Sequence, residues 1–425
     1  MAGIEIGFWV GWRTLVDLGA RRVARELWET GADRASIFVV AEGKVFFDPQ
    51  AELYAQCLLK PVKGCEKDLL REFIKEAKEV GLKVAATIVC TVDPLHAKEH
   101  PEVRVRDVYG NSHGYALCPS NPALRDYLMA LTKDLASNYD VEEVELDYIR
   151  FKRSRDKSLL PLHLYLARYC YCDYCKRRAE EEGINWNTLT RIVKQFMDLA
   201  KLSKENVERF TRNYIAVGDV VRLYFQQPII SQWLNVRAKI VSGLVASVKD
   251  ALEEVGSGVK LSADLFYPTV SWQVGQDYSL LGRHLDTVKP MVYTPRMGAW
   301  ETKYLKELLS VLGEEYEDEL LTYISFLLGI DKPASLEAFE LMGVPPKIAF
   351  RETAKARELL PRNVRLYTGL YSIHEEGVIE NPVEKLLEAT KAALRGGADG
   401  LYYFAFRRTP ESHREALRKI KKELK

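Results

Sequence analysis

The sequence predicts a closed barrel of eight parallel strands with helices around it, and three observations carry that expectation. Eight short runs rich in β-branched and aromatic residues recur along the 425 residues, each of strand length and bounded by turn residues. Segments of helical period separate them. This is the alternation of a parallel sheet, and the count of eight favours closure over an open doubly wound sheet. No glycine-rich phosphate loop follows the first run, where Gly7-Phe8-Trp9-Val10-Gly11 stands instead, so a dinucleotide-binding sheet is disfavoured. The expected fold is therefore a (β/α)8 TIM barrel, read as one domain over residues 1–425.

In chain order the strands are expected at 4–10, 35–40, 83–90, 142–149, 259–266, 287–293, 364–370 and 400–406. A helix over 68–80 carries Leu70, Phe73, Ile74 and Ala77 on one stripe and stops at Gly81. Asn121 and Pro122 open a second helix, with Leu124, Leu128, Leu131 and Leu135 on its buried face. The same Asn-Pro start recurs at Asn381-Pro382, ahead of Leu386, Leu387, Thr390 and Ala393. A longer helix over 234–255 ends at Gly256, and one over 411–424 closes the chain. A bare barrel needs about 250 residues, so the surplus falls in insertions. The larger, 152–232, follows strand four and is polar and helical in pattern at 186–200 and 204–227. A smaller helical one, 301–346, follows strand six. Both begin at the C-terminal ends of strands, where barrels build their sites, and are expected to wall or cover a cleft.

Composition narrows the function. With 61 Lys+Arg against 60 Asp+Glu, the chain lacks the basic excess of a general nucleic-acid binder. No apolar run is long enough to span a membrane, and the first residues carry no basic-then-apolar signal pattern, so a cytoplasmic location is expected. Seven cysteines, an odd count, fit buried thiols or metal ligands better than a secreted disulfide framework. Only 18 residues are Asn or Gln while Glu, Lys and Arg abound, a balance common in thermophile proteins.

The densest chemical signal is Val144-Glu145-Leu146-Asp147-Tyr148-Ile149-Arg150-Phe151. At a period of two, Glu145, Asp147 and Ile149 share one face, and Leu146, Tyr148 and Arg150 the other. The outer face of a barrel strand packs on helices, so the acidic face should line the barrel, with Asp147 at the rim and Glu145 one layer deeper. Two buried carboxylates on one face are costly unless paired. Either they work, or they form ion pairs with interior Arg or Lys.

These residues also carry a resemblance. His100-Pro101-Glu102, then Cys118-Pro119-Ser120-Asn121-Pro122-Ala123-Leu124-Arg125-Asp126-Tyr127-Leu128, then Tyr139-Asp140-Val141 leading into Leu146-Asp147-Tyr148-Ile149-Arg150-Phe151, resemble the (β/α)8-barrel glycoside hydrolases. These are the hypothetical families related to the α-amylase and family-10-like groups. Asp286-Thr287-Val288-Lys289-Pro290-Met291-Val292-Tyr293 and Gly396-Gly397-Ala398-Asp399-Gly400-Leu401-Tyr402-Tyr403-Phe404 extend the likeness in the same order. The chain departs where the family often has Asp-Gly before strand four, with Glu142-Glu143 instead. The resemblance implies a carbohydrate substrate and a catalytic carboxylate at Asp147.

Glycoside hydrolysis needs two carboxylates flanking the scissile bond. Asp264, near the end of strand five and next to strand four, is the favoured partner of Asp147. Glu301 after strand six, Glu375 or Glu376 after strand seven, and Glu42 after strand two are further candidates. The bland alternative for Asp264 is a rim ion pair or helix cap, and for Glu301 the first turn of a solvated helix. Arg150 could steer Asp147 or bind a sugar hydroxyl or carboxylate through its planar fork. Tyr293 could hydrogen-bond a sugar. Trp300, with Trp9, Trp12, Phe266, Tyr267, Trp272, Tyr371 and Phe404, could stack on sugar faces, although each such ring is more often packing. His96, His100 and His113 follow strand three, and His113 is taken as the one lining the cleft.

Cys170-Tyr171-Cys172-Asp173-Tyr174-Cys175 is the second signal. Three thiols within six residues suit a tetrahedral metal, with Cys118, His163 or Asp173 as the fourth ligand. Similar loops belong to the resemblance. Zinc there is expected to be structural, since thiolates alone leave no position for water. Three reduced thiols without metal are the bland alternative. Cys57 and Cys65 could form a disulfide. Two rival functions stay open: a carbohydrate-binding barrel with the aromatic rim but no carboxylate pair, and a metal-dependent hydrolase with His or Asp ligands at the rim.

Overall fold

Eight parallel strands close into a ring in the structure, a computed structural model that describes residues 3–49, 60–61, 68–153, 156–160, 163, 167–211, 222 and 225–423. They are β1 (Glu5–Val10), β2 (Arg34–Ala41), β3 (Lys83–Val89), β4 (Glu143–Asp147), β5 (Lys260–Phe266), β6 (Thr287–Met291), β7 (Arg365–Tyr371) and β8 (Gly400–Phe404). Each pairs with its neighbours in the chain, and β1 pairs with both β2 and β8 to complete the barrel.

Aspartates fix the feet of the strands. Asp33, Asp286 and Asp399 stand just before β2, β6 and β8. Each carboxylate accepts a backbone N–H from the adjacent strand: Ile6 at 2.7 Å, Leu261 at 2.9 Å and Leu366 at 2.8 Å. Alternation then sorts the side chains. Ile6, Phe8 and Val10 of β1, Val144 and Leu146 of β4, and Leu261, Ala263 and Leu265 of β5 face out and are buried. The inward set is polar or aromatic. Room for the rings comes from glycines: a Cβ on Gly7 would approach the Tyr402 ring to 2.4 Å, and one on Gly400 the Tyr367 ring to 1.8 Å.

Low in the barrel, Arg34 Nη2 donates to Glu143 Oε2 at 3.0 Å. Above it, Lys289 of β6 donates to Glu143 Oε1 at 2.5 Å and to Glu145 Oε2. Burial alone would depress the Lys289 ammonium, but the Glu143 and Glu145 carboxylates outweigh it and keep it charged.

The outer layer holds helices Ala20–Glu29, Leu69–Glu79, Pro122–Asn138, Pro228–Val255, Lys347–Leu359, Val383–Arg395 and Glu411–Glu423. Asn121 caps its helix as expected, accepting from the N–H of Ala123, and Asp68 caps the helix before it, accepting from the N–H of Arg71. Asn381 does not: its side chain donates to the carbonyls of Tyr371 and Ile373, and Pro382 stands at the cap position. After β5 the barrel helix is reduced to short turns, Pro268–Ser271, Trp272–Val274 and Tyr278–Leu281. Glu352 of a neighbouring helix accepts from the Thr269 N–H and hydroxyl there.

The segment after β4 carries helices Asp173–Glu181, Trp186–Leu199 and Lys204–Thr211 before the long helix, which begins at Pro228 rather than at 234. After β6, Thr294–Leu312, Glu317–Leu328 and Leu336–Met342 form the second insertion, starting ahead of residue 301. An antiparallel ribbon, Arg104–Arg106 with Ser112–Leu117, follows β3 without any expectation from the sequence. No helix among the described residues is long and apolar enough to cross a membrane. Cys57, Cys65 and most of the segment 212–224 lie outside the described residues.

Candidate active site at the C-terminal rim

β4 ends at Asp147, and the chain turns sharply there. Tyr148 adopts a left-handed backbone, φ 54°, the Asp147 carboxylate accepts its N–H at 2.7 Å, and the Thr91 hydroxyl lies between the carbonyls of Tyr148 and Arg150. This break ends the alternation. Carried past Asp147, a period of two sends Arg150 outward; instead Arg150 is buried at the rim, its guanidinium between the rings of Tyr148 (4.0 Å) and Phe266 (4.1 Å).

Asp147 is 6% exposed. Burial pushes its carboxyl up to about 6, against the pull of the Arg150 guanidinium and the Tyr148 N–H. The register pairs Leu146 with Ala263, so the next residues, Asp147 and Asp264, come side by side on adjoining strands spaced by about 4.8 Å. Asp264 is buried more deeply. Burial first, then the charges of Glu145 and Asp147, raise its carboxyl well above the usual carboxylate range. One oxygen accepts from the Trp9 indole N–H at 3.0 Å, and the other, Oδ1, is buried with no hydrogen-bond partner.

Glu145 lies beneath them, fully buried. It accepts from Trp9 (2.8 Å), Thr87 (3.0 Å), Ser36 (2.6 Å) and Lys289, so all its capacity is taken up by the barrel. Lys289 went unremarked in the sequence. The available signal was a lysine at the mid-strand position of β6, matching the extra acids of β4. Trp9 is likewise buried, a donor to two carboxylates rather than an exposed stacking face.

Tyr293 stands over this group. Burial, then the carboxylates of Asp264, Asp147 and Glu145, push its hydroxyl up. Its ring stacks on Phe404 at 5.5 Å and lies 6.2 Å from that of Trp300, which is 40% exposed. Tyr371 completes the aromatic patch against Phe404. His113 is on the ribbon after β3, edge-on to Tyr115 and Tyr169. Burial, then the positive Lys152 and Arg168, lower it to about 4. Glu301, a further candidate for the second carboxylate, is buried in the helix Thr294–Leu312 rather than in a solvated first turn, and pairs with Arg153 of the segment after β4 at 3.7 Å. Glu375 pairs with Arg408. Trp12 stacks on Phe46 at 4.3 Å, and Trp272 donates to the Thr269 carbonyl.

The thiols converge beside this wall. The Sγ atoms of Cys118, Cys170, Cys172 and Cys175 all lie within 4.8 Å of one another, and all four residues are buried. Cys118 is 3.6 Å from Cys172 and 3.5 Å from Cys175, close to the edge of about 3.8 Å expected for four sulfurs around zinc. The Arg106 N–H donates to Cys170 Sγ at 3.2 Å, and Ser120 Oγ lies 3.2 Å from Cys175 Sγ. This buried four-thiol cluster could hold a metal ion. Of the proposed fourth ligands Cys118 is the one that joins; the His163 Nδ1 is 2.6 Å from the Leu160 carbonyl.

Residues 40–307 match the profile of a family described as "Putative glycosyl hydrolase domain". No curated protein matches the chain in sequence. Solved structures share its fold at low identity. An α-L-fucosidase isoenzyme 2 from Paenibacillus thiaminolyticus is 14% identical with a TM-score of 0.56, covering 99% of this chain and 49% of its own. A β-galactosidase from the psychrophilic Marinomonas ef1 is 13% identical with a TM-score of 0.58, covering 99% and 59%. The catalytic domain of a β-amylase from Paenibacillus polymyxa is 11% identical with a TM-score of 0.56, covering 99% and 98%. The chain thus spans only about half to three-fifths of the first two.

Proposed function

The chain belongs to this glycosyl hydrolase family, and from that premise we propose that it cleaves a glycosidic bond with Asp147 and Asp264 as its carboxylate pair. The observation carrying this is the pair itself: two buried carboxylates at the C-terminal ends of adjoining strands, Asp147 held by the Tyr148 N–H and Asp264 with Oδ1 unpartnered. Burial and the neighbouring acids raise Asp264 well above the usual carboxylate range, and burial raises Asp147 to about 6, so Asp264 is the better holder of a proton. Such a pair divides the labour of the reaction. Asp264 hands its proton to the glycosidic oxygen as the bond to the leaving sugar breaks, while ionised Asp147 acts as nucleophile or base at the anomeric carbon. Carboxyls about 5–5.5 Å apart would attack directly and retain the anomeric configuration, and a gap of about 6.5–9.5 Å would admit a water and invert it. Trp9 orients Asp264, and Tyr293 and Trp300 offer a hydroxyl and an apolar face to the sugar. The segments 152–232 and 301–346 would wall the cleft.

The four thiols would hold a structural zinc ion. Its shell, filled by Cys118, Cys170, Cys172 and Cys175, ties the loop after β3 to the insertion after β4 and leaves no position for a reacting water.

The test is release of reducing sugar from a panel of glycans by the wild type, Asp147→Asn and Asp264→Asn. Hydrolysis by the wild type with loss in both variants supports the pair. Full activity in either variant removes that residue from the mechanism.

A further inference from the structure

Arg150 is 6% exposed, with its guanidinium 4.0 Å from the centre of the Tyr148 ring and 4.1 Å from that of Phe266. Its hydrogen-bonding capacity lies along the edge of the fork, where Nη1 is buried without any partner. A buried charged donor without an acceptor is costly, and Asp147, though it feels the charge, makes no hydrogen bond to it. Tyr148, one of the two covering rings, is itself 38% exposed and sits on a left-handed backbone that bulky residues seldom adopt. Rotation of one half-exposed side chain would therefore uncover the fork at the C-terminal rim.

Further cations recur in the surrounding wall, although Arg153 and Arg168 are already paired with Glu301 and Asp156. Arg150, Lys152 and Arg153 follow one another with one interruption. Lys152 Nζ is held on the Tyr115 hydroxyl at 2.7 Å, and His113 beside it is kept neutral partly by the Lys152 and Arg168 charges. Half-buried Arg296 lies across the rim over Trp300 at 5.8 Å. A planar guanidinium edge matches a planar two-oxygen anion.

We propose that the Arg150 fork receives a carboxylate of the substrate, so that the glycan is acidic, with a uronic acid at the sugar next to the scissile bond. The inference rests on the hydrolase reading for the bond cleaved, but the carboxylate site is testable without turnover. Calorimetric titration of the full chain would compare glucuronate and galacturonate with glucose and galactose, and with glucose 6-sulfate. Uronates are expected to bind at least about 10-fold more tightly than the neutral sugars. Arg150→Lys and Arg150→Met should lose that preference by about 10- to 100-fold, and Tyr148→Ala, which uncovers the fork, should keep or strengthen it. Equal binding of neutral sugars, a preference surviving in both Arg150 variants, or tighter binding of the sulfate would overturn the proposal. If the Arg150 variants fail to fold, loss of the uronate preference in Tyr148→Ala overturns it. Cleavage of neutral glycosides alone would leave the carboxylate pair standing and sink this inference. Uronate binding that needs Arg150, with no hydrolysis of any uronoside, would do the reverse.

Discussion

At Asp147 burial outweighs a neighbouring cation, and both rate and stability should register it. On the proposed mechanism turnover needs this carboxyl ionised, so kcat/KM should climb through about pH 6 and fall only where Asp264 ionises, well above the ordinary carboxylate range. A plateau reaching down to pH 4 would exclude Asp147 as the ionised member. The sign for stability is the opposite. A carboxyl raised in the fold from an unfolded value near 3.9 favours folding fully below about pH 4, and that contribution is lost as pH rises through about 6. Asp147→Asn stays neutral throughout. It should cut kcat by about 10³-fold, yet melt at or above the wild-type temperature at pH 8, by at most about 3 kcal/mol. A variant that melts lower at pH 8 would make Asp147 a structural anchor instead.

Strands β4, β5 and β6 work as a unit because Lys289 spans two acids of β4. Lys289→Met leaves Glu145 in the barrel without a counter-charge and Glu143 with Arg34 alone, and a loss of about 3–5 kcal/mol in urea unfolding is expected; a loss under about 1 kcal/mol would mean the interior charges are compensated elsewhere. The thiol cluster links elements as well. Purified protein should carry one zinc ion per chain, released by denaturation with a chelator. Cys118→Ser should lower zinc content and Tm together, while metal-free protein of unchanged Tm would discard the zinc. The strands were legible in the sequence because β-branched runs of the right length recur with clear punctuation, and the acidic face of β4 because a period of two survives as far as Asp147. The place of Arg150 at the rim was legible only as one alternative, since a period of two points it outward and nothing in Tyr148-Ile149-Arg150 announces a left-handed turn at a tyrosine. The role of Lys289 needed the barrel register, which brings β6 across from β4. Among the three fourth-ligand candidates the sequence offers, the choice of Cys118 needed the ribbon after β3 to bring it to the other thiols, and the ion pair of Glu301 with Arg153 needed the segments after β4 and β6 to meet.

The whole barrel is closed on its inside by rings laid over glycines rather than by aliphatic layers. Gly400→Ala would drive a methyl into the Tyr367 ring and should cost about 1–3 kcal/mol or more, read by denaturant titration; a neutral result would mean the Tyr367 ring has space to retreat. The two ends of the barrel differ in kind. At the foot, Asp33, Asp286 and Asp399 each tie one strand to the backbone of the next, and these bonds involve no residue of the rim. For protein engineering the molecule is thus a chassis with an interchangeable upper deck. The loops after β3, β4 and β6 could be swapped as a cassette to present other glycans to the same carboxylates, while the aspartate feet keep the eight strands in step.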